Sequence, residues 1–216
     1  MKIIIKLILT ILFVSCNSNL ERWKPYNETE EISKNSSSEN QKLRYKRIQS
    51  ISTDKNILIN GLENEIENFI KTKYDKLKPK IVEKSIPEIQ QSVINKDFSY
   101  HDLTLFYISR IYLIEFNKDT YLNSIISINK NVLDEAKSKD SQGNSDIYSI
   151  FGIPILLKDN IGFESLPTTA GAHSLQNNYT KDAYIVKKLK EKGALILGKT
   201  NLSEWANYFC SGCPNG

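Results

Sequence analysis

Two short apolar runs, Phe151-Gly152-Ile153-Pro154-Ile155-Leu156-Leu157 and Ala194-Leu195-Ile196-Leu197, stand on either side of a stretch with helical spacing. Each run has the length and the branched, apolar character of a buried strand. Between them, Thr180 and Asp182 mark a helix start. Ala183, Val186 and Leu189 form its apolar face with Ile185 beside it, and Gly193 ends it. Strand, crossover helix, strand is a βαβ unit, which requires a parallel strand pair and a right-handed connection. The expected fold class is therefore α/β, with helices packed on a sheet. Two strands alone would leave an apolar edge unpaired, so the sheet begun here is expected to be incomplete.

Helical patterning precedes this unit. Leu58, Leu62, Ile66, Phe69, Ile70 and Leu77 make one apolar stripe, which Pro79 is expected to close. A shorter helix is expected from Pro87 to Asn95, with proline in its first turn. Ser99, with Asp102 three residues on, resembles a capping box at the head of a helix that buries Leu103, Phe106, Tyr107, Ile111 and Ile114. Ser124 to Ile128 fits either a short strand or an apolar turn, and Asn129 is expected to cap a helix through Ala136.

The first sixteen residues have a different character. Lys2 and Lys6 form a short positive region, and Ile3 to Val14 are almost wholly apolar, too short a run to span a bilayer. The stretch ends in Leu12-Phe13-Val14-Ser15-Cys16, which resembles the lipobox of bacterial lipoproteins, with Phe13 where that family usually has leucine. The resemblance implies cleavage before Cys16, acylation of its thiol and retention at a membrane in the bacterial cell envelope. A plain cleaved signal, or a buried apolar N-terminus, is the alternative. Residues 17 to about 42 are Asn, Ser, Glu and Lys with few large apolar side chains, and read as a tether. The chain thus divides into a signal peptide (1–15), a disordered tether (16–42), a helical segment of unclear role (43–85) and an α/β segment (86–216). A net charge of +4, from 29 basic against 25 acidic residues spread along the chain, calls for no nucleic-acid partner.

Lys158 falls at the carboxyl end of the first strand, where open α/β sheets place their ligand sites, and Asp159 and Asn160 follow it. A lysine that is partly desolvated, or near another cation, gives up its proton more easily than its reference pKa of about 10.4 suggests. It can then serve as general base to a hydroxyl nucleophile. Spacing alone would make Lys158 a solvated surface residue.

The surrounding pattern is more specific. Gly152-Ile153-Pro154, Lys158-Asp159-Asn160, Thr168-Thr169-Ala170-Gly171, Asp182-Ala183, Gly193-Ala194 and Gly198-Lys199-Thr200-Asn201-Leu202-Ser203-Glu204-Trp205-Ala206 occur in the order and spacing of the amidase signature family, which residues 86–216 resemble. Ala172 and Ser174 depart from that family's usual residues. The resemblance implies N-terminal helices before a mixed or parallel sheet core, and hydrolysis of a carboxamide or peptide-like amide to an acid plus an amine or ammonia. It implies a Ser–cis-Ser–Lys mechanism, with backbone amides of a Gly/Ser-rich loop stabilising the oxyanion and no cofactor. Only the lysine maps, onto Lys158; both serines belong to downstream Gly/Ser-rich segments, and neither Ser203 nor Ser211 is their equivalent. The 216 residues are accordingly expected to be a fragment, inactive by themselves. Asp159, Asn160 and Asn201 are expected to hold backbone geometry. The run Asn201 to Ala206 looks most like the peptide-amidase and general amidase branch; a component of a tRNA-dependent amidotransferase fits an exported protein less well.

Three other readings compete. The non-enzymatic one is a lipid-anchored binding or remnant protein that uses the same scaffold without catalysis. Gly193 to Thr200 also matches the Walker A expression, but a P-loop needs a strand before its first glycine and free amides after it. Here a helix precedes Gly193 and an apolar strand follows. Cys210 and Cys213 form a C-x-x-C pair, half of a zinc site, a local disulfide or plain loop residues. His101 and His173, far apart and without a carboxylate cluster, suggest no metal site.

Overall fold

The computed structural model describes residues 19–24, 27, 29–41, 44 and 54–206. Cys16, Cys210, Ser211 and Cys213 lie outside them. The elements run α1 (Thr29–Asn35), α2 (Glu63–Phe69), α3 (Asp75–Ile81), α4 (Ile86–Ile94), α5 (Tyr100–Glu115), β1 (Ile125–Ile128), α6 (Val132–Gln142), β2 (Pro154–Lys158), α7 (Tyr184–Glu191) and β3 (Leu195–Thr200).

The stripe from Leu58 does not end at Pro79, which lies inside α3. A 3-10 turn over Lys55–Leu58 leads to α2, and a π turn over Ile70–Tyr74 joins α2 to α3. The spacing of the buried residues explains the π turn. Ile66, Phe69, Tyr74, Leu77 and Ile81 are buried, and the step of five from Phe69 to Tyr74 is one residue too long for an α-helical face. The wider i→i+5 turn absorbs that extra residue and returns Tyr74 to the core, where its ring stacks on Phe106 at 4.8 Å and 13°. The same widening lies just upstream of Pro79, where an unbroken α-helix would meet the ring.

Ser85 heads α4 with a full capping box, its hydroxyl accepting from Glu88 N while the Glu88 carboxylate accepts from Ser85 N. At α5 only half of the expected box forms. Ser99 Oγ accepts from Asp102 N at 3.0 Å, but Asp102 turns away to Lys73 at 2.7 Å. The amides of Tyr100 and His101 donate instead to the Asp140 carboxylate on α6. Asn129 is no side-chain cap on N2 or N3 of α6. Its Oδ1 accepts from Asn131 N, and its Nδ2 donates to Ile196 O, tying the helix start to β3.

β1 is a strand, and the sheet order is β1-β3-β2, with β1 antiparallel and β2 parallel to β3. The βαβ expectation for β2, α7 and β3 therefore holds. The sheet is mixed, as in α/β folds of this kind. Alternate residues of β3 serve opposite faces. Leu195 and Leu197 join the main core with α2 to α6, while Ile196 packs with Leu157, Phe163, Leu166 and Val186 of α7. Thr180 and Asp182 precede α7 without capping it; Ala183 stands at the N-cap, and Gly193, at φ +81°, follows the helix end. Gly198 has a steric reason: a Cβ there would lie 2.2 Å from Ser127 O on β1. Only glycine allows β1 to pair so closely at this irregular register.

The tether reading does not hold throughout residues 16–42. Leu20 and Trp23 pack against the main core, Asn19 donates to Glu67, and Trp23 N donates to Asn56 Oδ1 at 3.0 Å. Two apolar side chains and a set of specific hydrogen bonds hold a segment whose overall composition is that of a linker. Among the described residues, no helix is long and apolar enough to cross a membrane.

Candidate active site

Lys158 ends β2, opposite Thr200 of β3, with its side chain exposed. The next residue is held very differently. Asp159 is completely buried; its N–H donates to Thr200 O at 3.1 Å and its carbonyl accepts from Ala170 N at 3.0 Å. Its carboxylate accepts from Thr169 N at 3.2 Å and from the Thr169 hydroxyl. Lys199 Nζ lies 3.5 Å from Asp159 Oδ1, and both side chains have no exposure.

Lys199 is the residue whose role sequence reasoning misses. It falls within the amidase-like run and the Walker A expression without a role assigned to it, yet its ammonium donates to Ile161 O at 2.6 Å and to Thr168 Oγ1 at 3.2 Å, beneath the loop that follows β2. Burial pushes its pKa below the usual lysine value, and the Asp159 carboxylate opposes that shift. A usable signal is present, since a lysine within an otherwise buried strand must find buried partners. The phosphate-loop reading fails here. Residues Leu195–Thr200 are a strand paired on both sides, and the lysine points into protein.

Thr168 and Asn178 exchange hydrogen bonds, Thr168 N to Asn178 O at 2.8 Å and Asn178 Nδ2 to Thr168 O at 2.9 Å. Asn201 holds backbone, as expected. Its Nδ2 donates to Asn123 O at 3.0 Å, and its amide to Ser124 O at 2.8 Å. Asn160 is exposed. Ser203 accepts from Ala206 N through its carbonyl at a 3-10 turn. His101 lies in the first turn of α5 and His173 in a 3-10 turn after Thr169. Among the described residues, no three His, Cys, Asp or Glu side chains converge as a metal site would require.

The sequence model of the amidase family matches residues 102–215, just over half of the chain. The chain belongs to the amidase family. A probable amidase of Arabidopsis thaliana is 34% identical over 139 residues, which are 61% of this chain and 27% of that protein. A glutamyl-tRNA(Gln) amidotransferase component of Lawsonia intracellularis is 36% identical over 124 residues, 56% of this chain and 25% of that one. Among solved structures, an amidase family protein from Bacillus anthracis is similar at a TM-score of 0.67 and 34% identity, over 79% of this chain and 34% of its own. The native peptide amidase of Stenotrophomonas maltophilia is similar at 0.53 and 36%, over 58% of this chain and 26% of its own. The chain thus spans about a quarter of the length of the curated relatives it matches. The likeness to the Bacillus protein covers more of the chain than the family match does, which agrees with a core shared by α2 to α6 and the sheet.

Proposed function

We propose that the protein hydrolyses a carboxamide or peptide-like amide to the acid and an amine or ammonia, with Lys158 as general base. The observation that carries this reading is the position of Lys158. In a chain of the amidase family, it is an exposed lysine at the carboxyl end of a parallel strand, on a turn fixed by buried groups. In the mechanism that the resemblance implies, neutral Lys158 takes a proton through a bridging serine from the attacking serine. That serine adds to the amide carbonyl, and the proton passes on to the departing amine. Water then releases the acid from the acyl-enzyme.

A peptide amide or other small carboxamide is the favoured substrate, because Asn201 to Ala206 resemble the peptide-amidase branch and a peptide amidase is among the structural relatives. The proposal extends to location. The positive Lys2 and Lys6, the apolar Ile3 to Val14 and the lipobox-like ending at Cys16 support lipid anchoring in the bacterial cell envelope.

The test is to express the complete reading frame and measure ammonia release from a panel of carboxamides and peptide amides. Loss of a general base costs about 10²–10⁴ in rate, so Lys158→Ala should lower kcat by at least the smaller factor. Hydrolysis at the wild-type rate in that variant sinks the assignment. Labelling cells with radioactive palmitate should mark the wild type and leave Cys16→Ser unlabelled; equal labelling of both would remove the anchor.

A further inference from the structure

We propose that Lys199 is a positioning residue for Lys158, acting through the turn that begins at Asp159. The inference rests on the reading of Lys158 given above and adds to it the group that fixes where that lysine stands.

The register of the parallel pair sets Leu157 beside Lys199 and Lys158 beside Thr200. Lys199 therefore enters the protein next to the strand end, under the loop running from Asp159 to Gly171. Its ammonium has acceptors in three parts of that loop: Asp159 Oδ1 at 3.5 Å, Ile161 O at 2.6 Å and Thr168 Oγ1 at 3.2 Å. Asp159 is tied at the same time to β3 through Thr200 O and to the returning arm of the loop through Thr169 and Ala170. The residue after Lys158 is thus held on its amide, its carbonyl and its carboxylate, and Lys158 cannot shift along the sheet edge without breaking that set.

A methionine would fill the same space with no charge to desolvate, and buried ion pairs contribute little net stability compared with apolar replacements. What the ammonium adds is direction. Its hydrogen bonds join Ile161, two residues after Asp159, to Thr168 on the returning arm, and so close the loop over itself. A neutral apolar side chain would leave the Ile161 carbonyl and the Asp159 carboxylate short of a donor, and the turn free to relax.

Two readouts test this without requiring hydrolysis. The first is amide hydrogen exchange at Asp159 and Ala170, compared with Phe106 and Ile108 in the core of α5. The second is the rate at which N-acetoxysuccinimide acylates Lys158 at one fixed pH, relative to exposed Lys187, followed by peptide mass. In Lys199→Met, exchange at Asp159 and Ala170 should rise roughly tenfold or more with the α5 amides within about threefold of wild type, and the Lys158 acylation ratio should change by about threefold or more. Thr168→Val, which removes one acceptor, should move both readouts the same way by a smaller factor. Thr168→Ser, which keeps the hydroxyl, should restore them.

Equal acceleration of all amides with an unchanged Lys158 ratio would show a general stabilising role and overturn the proposal. Should Lys199→Met fail to fold, the Thr168 pair decides: no difference between Val and Ser at either readout also overturns it. Retained hydrolysis in Lys158→Ala would sink the functional reading while leaving the exchange result standing, so the two failures are distinguishable.

Discussion

Replacing Gln90 with alanine should destabilise the protein more than any surface change, because one buried amide joins three segments. Gln90 has no solvent exposure. Its Nε2 donates to Ser149 O at 2.7 Å and Phe151 O at 2.8 Å, and its Oε1 accepts from Tyr100 Oη at 2.6 Å and from Asn144 Nδ2 at 3.3 Å. The side chain so connects α4 to the head of α5 and to the loop that delivers β2 to the sheet. Three of these bonds are short, and at about 1 kcal/mol net each they amount to about 3 kcal/mol. The one methylene removed, Cγ, is worth about 0.8 kcal/mol, which puts the total for Gln90→Ala at roughly 4 kcal/mol. A chain of this size loses about 2–4 °C in Tm per kcal/mol, so the expected fall is roughly 8–16 °C.

Urea denaturation followed by far-UV circular dichroism, with thermal melts alongside, measures both quantities. Tyr100→Phe is the control. It removes one hydrogen bond, leaves Asn144 to serve Gln90 Oε1, and should cost about 1–1.5 kcal/mol. The double variant should cost less than the sum of the two, since the Gln90–Tyr100 bond can be lost only once. A loss below about 1 kcal/mol in Gln90→Ala would mean that water or a neighbour replaces the amide, and the argument from buried hydrogen bonds would fail.

Other consequences follow from single contacts. Gly198→Ala forces a methyl into Ser127 O and should cost about 1–3 kcal/mol by separating β1 from β3; faster exchange confined to β1 would identify the cause, and an unchanged melt would refute it. Burial pushes the Asp182 carboxyl up, but hydrogen bonds from Lys190 Nζ at 2.7 Å and Glu164 N at 2.9 Å outweigh it and leave the group below its ordinary 3.8. A carboxyl depressed on folding stabilises above its unfolded pKa and ceases to do so as the pH falls through the folded one. Because Lys190 is 42% exposed, Asp182→Asn should cost about 1 kcal/mol or less at neutral pH. That difference should vanish below the depressed pKa, and a constant difference across the acid range would contradict the assignment. Millimolar Mg-ATP should leave Tm unchanged, since the Walker-like lysine is buried under a loop; a nucleotide-dependent rise would revive the phosphate-loop reading.

The sequence by itself determined the βαβ unit, the helix starts at Ser99 and near Pro87, the candidate base Lys158 and the family likeness. These are local or periodic signals: short continuous apolar runs in strands, three- and four-residue spacing in helices, and a run of motifs in fixed order. Only the tertiary structure decided the path through Pro79, because the π turn follows from which residues must reach Phe106, and Phe106 is more than thirty positions away from Tyr74. The packing of Leu20 and Trp23, hidden in a polar stretch, was likewise set by a surface that α2 and its neighbours create.

The site divides in the same way. Lys158 was singled out by the run of family-like motifs around it, and its exposure is what spacing alone would give it. Lys199 stood in two recognisable patterns, and neither said what its ammonium meets. A motif fixes residue types along the chain, whereas burial and strand pairing fix which groups an ammonium meets, and for Lys199 those groups belong to a loop 31 to 40 residues earlier.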